Sequence, residues 1–388
     1  MKKILVVDDS AVMRNLMSVI IEKEPNVCVE DMAEDGIVAT QLLQQGKPYD
    51  LILLDIKMPR LDGVGVLEFM NSNGIHIPTL VVSSIASMSA ADTMRALELG
   101  AYDFVKKPGA SREPSLSEFQ DQLTQRIHCA FRINSDAQSP GERTEGGRAR
   151  QENRDEPEKA AKSEKEEESA SAAMVKPKRR RVSLFRRPVS GADEKKLIFI
   201  ASSTGGPKAL QSVIPVFPED IGCPIVVVQH MPEGFTNSLA ERLNEMSRCE
   251  VREAEDGALL ENGVVYVAKG GHQLRIVTDS RNEHRFSVGK DAPRNGLRPC
   301  ADIFLESLVD TAYKKFFCAV LTGMGSDATQ GLLQLKKKKE VYTVSQNKQS
   351  CVVYGMPRAA VEAGVADDVA ELTEVGKMLT QMAIQMVM

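Results

Sequence analysis

The 388-residue chain contains no tryptophan, only six tyrosines and only five histidines, so aromatic clusters and imidazole-rich metal sites have little to draw on. Its 49 Lys and Arg stand against 54 Asp and Glu, a formal charge of −5. That balance lacks the positive excess that sequence-independent DNA binding or attraction to anionic membranes requires. No apolar run approaches the ~20 residues of a spanning helix. The opening MKKILVVDDS carries two lysines and an apolar stretch, but Asp8 and Asp9 stop it far short of a signal-peptide core. The seven cysteines (28, 129, 223, 249, 300, 318 and 351) are scattered, with no CxxC and no close Cys/His pair. They read as reduced, mostly buried thiols rather than a disulfide or zinc framework. A cytoplasmic protein with no membrane insertion is the expectation.

The length allows two or three domains, and composition divides the chain. Residues 133–194 have almost no large apolar side chains before Leu184 and Phe185. Between Glu142 and Ser169 there are ten acidic and seven basic residues, followed by seven basic residues from Lys176 to Arg187. Such a segment cannot build a core and reads as a flexible charged linker. The basic cluster is the one feature that would suit a nucleic-acid partner. No helix-turn-helix or other reader accompanies it, so a solvated charge run is preferred and no nucleic acid is expected.

On either side of the linker the pattern is β-α alternation. In the first part, Ile4–Val7, Leu51–Leu54 and Thr79–Val82 are short continuous apolar runs, as in parallel strands covered on both faces. Helical spacing such as Val12, Leu16, Val19 and Ile20 lies between them. After the linker, strands are expected at Leu197–Ile200, Ile225–Val228, Val264–Val267, Leu274–Val277, Phe316–Leu321 and Val341–Val344. The fold class is therefore α/β twice over: an N-terminal doubly wound domain and a C-terminal domain with a mainly parallel sheet. The short AKGGHQ stretch between Val267 and Leu274 suggests a hairpin there, which would make the second sheet mixed.

Chemistry in open α/β sheets collects beyond the carboxyl ends of the strands. In the first domain those positions hold Asp8 and Asp9, Asp55, Ser83 and Lys107. Taken singly, an Asp after a strand is usually a cap or turn residue. Three carboxylates at one edge, however, call for a cation among them, and hard oxygen donors suit Mg²⁺. With a lysine and a hydroxyl they make a phosphoryl-accepting site. In the second domain Ser203, His230 and Asp327 follow three separate apolar runs, the set needed for a nucleophile, a base and an orienting acid. Their chain order and the SSTGG context differ from the GxSxG elbow. STGGPKA also lacks the GK[ST] of a phosphate loop. On spacing alone, Ser202, Ser203 and Thr204 could equally cap a helix starting near Pro207, and His272 is a weaker candidate base.

Residues 1–125 resemble the receiver domain of two-component response regulators, through VVDDSAVMR, LILLDIKMPRLDG, VVSS and VKKPG in order. The resemblance implies Asp55 as phosphoryl acceptor and Asp8, Asp9 and Asp55 around Mg²⁺, with help from the Lys57 carbonyl. It further implies Ser83 and Lys107 as switch residues and a chemotaxis histidine kinase as phosphodonor. Residues 195–388 resemble the catalytic domain of chemotaxis protein-glutamate methylesterases, through ASSTGGPKAL, VVVQHMP, GVVYVAKGGHQL, LRPCADIFLESL, AVLTGMGSDA and CVVYGMPRAAVEAG. That implies a hydrolase that demethylates glutamate γ-methyl esters on methyl-accepting chemotaxis receptors, releasing methanol, and deamidates receptor glutamines. By the same resemblance Ser203 is the nucleophile, His230 the base and then acid, and Asp327 the orienting residue. Main-chain N–H groups of the TGMG turn near Met324 would stabilise the oxyanion, and the esterase chemistry would use no cofactor. The chain departs from the family pattern at Ala201, Ser202, Lys269, Leu297 and Ala328, the last standing where a glycine is usual and suggesting a tighter or shifted turn.

Overall fold

The computed structural model describes residues 1–84, 90–109, 115–137, 195–281 and 283–385. Most of the charged segment, with its Lys176–Arg187 cluster, lies outside the described residues.

The first half alternates strictly: β1 (Lys2–Val7), α1 (Ala11–Ile21), β2 (Val27–Ala33), α2 (Gly36–Gln44), β3 (Leu51–Leu54), α3 (Gly63–Ser72), β4 (Thr79–Ser83), α4 (Ala90–Glu98), β5 (Asp103–Lys106) and α5 (Leu116–Ala137). The strands form one parallel sheet in the order β2-β1-β3-β4-β5. Helices on both faces explain why Leu51–Leu54 is apolar throughout and wholly buried. Local chemistry starts the helices. Asp35 Oδ1 accepts from Val38 N at 2.8 Å, and Asp62 Oδ1 from Gly65 N at 2.8 Å, each satisfying an orphan N–H of a first turn. Helix α5 continues to Ala137, past the residue-133 start expected of the linker.

The second half runs β6 (Lys196–Ser202), α6 (Gly206–Val213), β7 (Ile225–Gln229), α7 (Phe235–Met246), β8 (Glu250–Glu253), β9 (Val264–Val267), β10 (Gln273–Thr278), β11 (His284–Gly289), α8 (Ala301–Ser307), β12 (Lys315–Val320), α9 (Thr329–Lys336), β13 (Glu340–Gln346), α10 (Met356–Glu362), β14 (Asp368–Ala370) and α11 (Leu372–Gln385). Seven strands pair in parallel in the order β14-β13-β12-β6-β7-β9-β8.

The expected hairpin is wrong. β9 pairs in parallel with β7 and β8, whereas β10 pairs antiparallel with β11 in a separate two-stranded sheet. The reason lies in the sheet: β9 is paired on one side by β7 and on the other by β8, so it has no free edge for β10 to turn back along, and Gly270 lets the departing chain pass close to Pro232 O. The C-terminal helix α11 buries Val375, Leu379 and Ala383 and packs Met378 and Met382 against the core. Among the described residues no helix is long and apolar enough to cross a membrane.

The two halves touch. The Phe104 and Phe235 rings lie 4.8 Å apart, Arg242 Nε pairs with Glu98 Oε1 at 2.5 Å, and the Thr204 hydroxyl donates to Asp103 Oδ2 at 2.7 Å.

Candidate active site

Both sheets reverse direction beside their first strand, and the polar residues gather there. In the first half the reversal falls between β1 and β3, which carry Asp8, Asp9 and Asp55 at their ends. Carboxylate oxygens of these three residues lie within 4.8 Å of one another. Lys107 Nζ bridges Asp8 Oδ2 at 2.7 Å and Asp55 Oδ2 at 2.6 Å, and Ile56 N donates to Asp55 Oδ1 at 2.7 Å. Burial pushes the Asp8 carboxyl above its ordinary value despite the Lys107 ammonium, with the Asp55 charge adding to the rise. Ser83 is 4% exposed and its Oγ has no partner among the described residues. A buried orphan hydroxyl, a lysine and three clustered hard oxygen donors fit a divalent cation and an incoming phosphoryl group.

In the second half the reversal falls at β6, flanked by β12 and β7. The ends of β6, β12 and β7 lead into Ser203, Asp327 and His230 respectively. His230 Nε2 lies 2.7 Å from Asp327 Oδ2. Asp327 is 6% exposed and also accepts from Ala301 N at 2.6 Å, Asp302 N at 2.9 Å and the Cys300 thiol at 3.2 Å. Burial works against ionisation here, yet the His230 bond and the two α8 N–H groups win and hold the Asp327 carboxyl well below the usual carboxylate range. A carboxylate so held accepts from Nε2–H and leaves Nδ1 as the nitrogen with a free lone pair.

Ser203 is fixed by its main chain: its N–H donates to Thr322 O at 3.0 Å, and its carbonyl accepts from Gly206 N at 2.7 Å and from the Gln229 amide at 2.9 Å. Its Oγ has no hydrogen bond among the described residues. The capping alternative is excluded, because α6 is capped by Gly205 at φ 76° with no side-chain bond. Ser202 is instead fully buried and donates to Gln229 Oε1 at 2.6 Å, so it faces away from the site. Gly323 lets the TGMG turn lie against the serine: a Cβ there would be 2.7 Å from Ser203 Cβ. Gly323 O accepts from Gly355 N and Met356 N, while the Met324 N–H bonds nothing among the described residues. Ala328 takes a left-handed φ of 77°, a conformation glycine adopts readily, and caps α9. His272 bonds its own loop through Gly270 O at 3.0 Å and reaches neither Ser203 nor Asp327.

Residues 198–379 match the CheB methylesterase family and residues 4–114 the response regulator receiver domain family. A protein-glutamate methylesterase/protein-glutamine glutaminase of Syntrophomonas wolfei is 35% identical over 378 residues, covering 96% of this chain and 97% of its own. The relative of that name in Bacillus subtilis is 35% identical over 381 residues, covering 98% of each chain. This chain belongs to the protein-glutamate methylesterase/protein-glutamine glutaminase family. Among solved structures, the Thermotoga maritima CheB methylesterase catalytic domain is 38% identical, covers 48% of this chain and 98% of its own, and superposes with a TM-score of 0.47.

Around Ser203, His230 and Asp327 stand three groups that the positions of the strand ends do not single out in the sequence. Gln229 reads there as no more than the last residue of a strand, although its amide bonds the residues on both sides of the site. Cys300 reads as one more buried thiol; burial and the Asp327 charge push it up to about 12, so it stays a neutral donor. Asp302, pushed up to about 6 by burial and by Asp327 beside it, accepts from Gly331 N at 2.7 Å. Gln229 falls within VVVQHMP, and Cys300 and Asp302 within LRPCADIFLESL, but neither stretch tells which distant groups these side chains bond.

Proposed function

We propose that the protein is a phosphorylation-regulated serine hydrolase that converts glutamate γ-methyl esters on methyl-accepting chemotaxis receptors to glutamates, and deamidates receptor glutamines at the same site. The observation that carries this reading is the His230–Asp327 pair at 2.7 Å, with three further donors on the carboxylate, one strand away from Ser203. Ser203 Oγ attacks the ester carbonyl while His230 takes its proton, and the Met324 N–H faces the developing oxyanion. The tetrahedral species collapses as His230 returns the proton to the methoxy oxygen, releasing methanol and leaving an acyl-serine. Water, deprotonated by His230, then frees the glutamate and Ser203. With a glutamine side chain the same steps release ammonia.

In the N-terminal half Asp55 accepts the phosphoryl group from a chemotaxis histidine kinase. Asp8, Asp9 and Asp55 would hold a Mg²⁺, which would supply charge neutralisation for the phosphoryl oxygens when bound. Lys107 adds a fixed positive charge, and the buried Ser83 hydroxyl, unpartnered among the described residues, bonds a phosphoryl oxygen. The Thr204–Asp103 bond, one residue from Ser203, supports control of the esterase by the receiver.

The decisive measurement is methanol release from methylated receptor membranes by the wild type and Ser203→Ala, each with and without a small phosphodonor and Mg²⁺. Release that disappears in Ser203→Ala and rises with the phosphodonor is expected. Full turnover by Ser203→Ala would remove the nucleophile assignment, and no release from the wild type would remove the function.

A further inference from the structure

The parallel ladder between β6 and β7 ends at Ser202 and Gln229, with His230 N to Ser202 O at 3.0 Å as its last rung. Ser203 and His230, the residues whose mutual geometry decides proton transfer, lie just beyond it. Strand ends diverge once the ladder stops, so something else must hold these two segments together. The Gln229 side chain, 1% exposed, occupies that position. Its Nε2 donates to Ser203 O at 2.9 Å and to His230 O at 3.1 Å, using both amide hydrogens, while Oε1 accepts from Ser202 Oγ at 2.6 Å.

We propose that Gln229 is a positioning residue of the hydrolase, its buried amide extending the ladder by one residue so that nucleophile and base segments keep a fixed separation. Ser202, where this chain departs from the family pattern, completes the arrangement by satisfying Oε1. The loop closes down on the amide from above: a Cβ on Gly206 would lie 1.9 Å from Gln229 Oε1. The device recurs around the site. Gln346, fully buried, accepts from Thr322 N at 2.8 Å and donates to Ser350 O at 2.7 Å, fixing the strand end that leads into the TGMG turn. Gln273, also fully buried, accepts from Cys300 N at 2.9 Å and donates to Leu297 O at 2.9 Å, anchoring the start of the helix whose N–H groups hold Asp327. Glutamine suits all three positions because one planar amide accepts from one segment and donates to another without carrying charge into the core.

The inference rests on the reading of Ser203 as nucleophile, and its test keeps the two apart. In the full-length protein, Gln229→Met, Gln229→Glu, Ser203→Ala and the surface control Gln330→Met are compared. The readouts are kcat and KM for methanol release, the rate of Ser203 labelling by a fluorophosphonate, and thermal melting. Gln229→Met keeps shape but none of the bonds, and is expected to lower kcat and labelling together by about tenfold or more, as small misplacements of reacting groups do, with KM nearly unchanged. Gln229→Glu keeps the reach and the acceptor but offers at most one hydrogen where the amide gives two, so it should not restore full kcat. If Gln229→Met loses its melting transition, Gln229→Asn, with the amide drawn back by one methylene, should show the same fall in kcat. A kcat matching Gln330→Met, rescue by Gln229→Glu, or a lower melting temperature with unchanged kcat would overturn the positioning role. Methanol release by Ser203→Ala would instead overturn the reading beneath it.

Discussion

At the scale of single residues, the site depends on a carboxylate kept charged in a buried place. Asp327 receives four donors, and Asp327→Asn would both remove the charge that stabilises a protonated His230 and turn an amide toward groups that themselves donate. A fall in kcat of about four orders of magnitude, with KM little changed, is the expected result in methanol-release kinetics, by analogy with other carboxylate-to-amide changes in such triads. Its neighbour Asp302 behaves in the opposite way. Its carboxyl is raised from 3.8 to about 6 in the folded protein, so between those values the folded state binds more protons than the unfolded one. Its contribution to stability is therefore fully present below about pH 4 and is lost as pH rises through about 6. Asp302→Asn, which retains an acceptor for Gly331 N, should gain melting temperature over the wild type by more at about pH 7.5 than at about pH 4.5. A constant difference across that range would contradict the sign.

At the scale of elements, short apolar runs and the residues just after them are legible because a parallel strand covered on both faces leaves no polar position until it emerges. That is why Asp8, Asp55, Ser203, His230 and Asp327 stand out in the amino-acid sequence. Strands β2, β8, β11 and β14 are not legible: β8 and β14 border the second sheet and β2 the first, so each has a neighbour on one side only and a mixed composition. The false hairpin has the same origin, since two apolar runs and a glycine loop look alike whether the chain turns back or leaves the sheet. The pairing of β9 on both of its edges, not turn chemistry, decides it. Packing governs the start of α6. Gly206→Ala would drive a methyl into Gln229 Oε1, an atom held in place by Ser202, so about 1–3 kcal/mol of stability should be lost in denaturant titrations, together with most of the esterase activity.

At the scale of the whole molecule, the receiver and the esterase halves meet through Phe104 on Phe235, Glu98 with Arg242, and Asp103 with Thr204. The last contact puts a receiver carboxylate on the residue next to Ser203. Phe104 is only 6% exposed, so truncating it removes contact from both halves at once. If this contact restrains the unphosphorylated enzyme, Phe104→Ala should raise basal methanol release and narrow the gap between the phosphodonor-treated and untreated rates. A basal rate equal to or below the wild type, with the melting curve retained, would show that the contact does not restrain the site.

The sequence by itself determined the α/β class of both halves and which polar residues follow their central strands. These follow from composition and periodicity, which are local. Only the tertiary structure decided that β9 and β10 part company, that Ser202 bonds Gln229 while Ser203 Oγ bonds nothing among the described residues, that His230 meets Asp327 through Nε2, and that Gln229, Cys300 and Asp302 gather around these residues. Each of these depends on atoms brought together from segments tens of residues apart, and close packing, rather than any local preference, selects among the arrangements the chain permits.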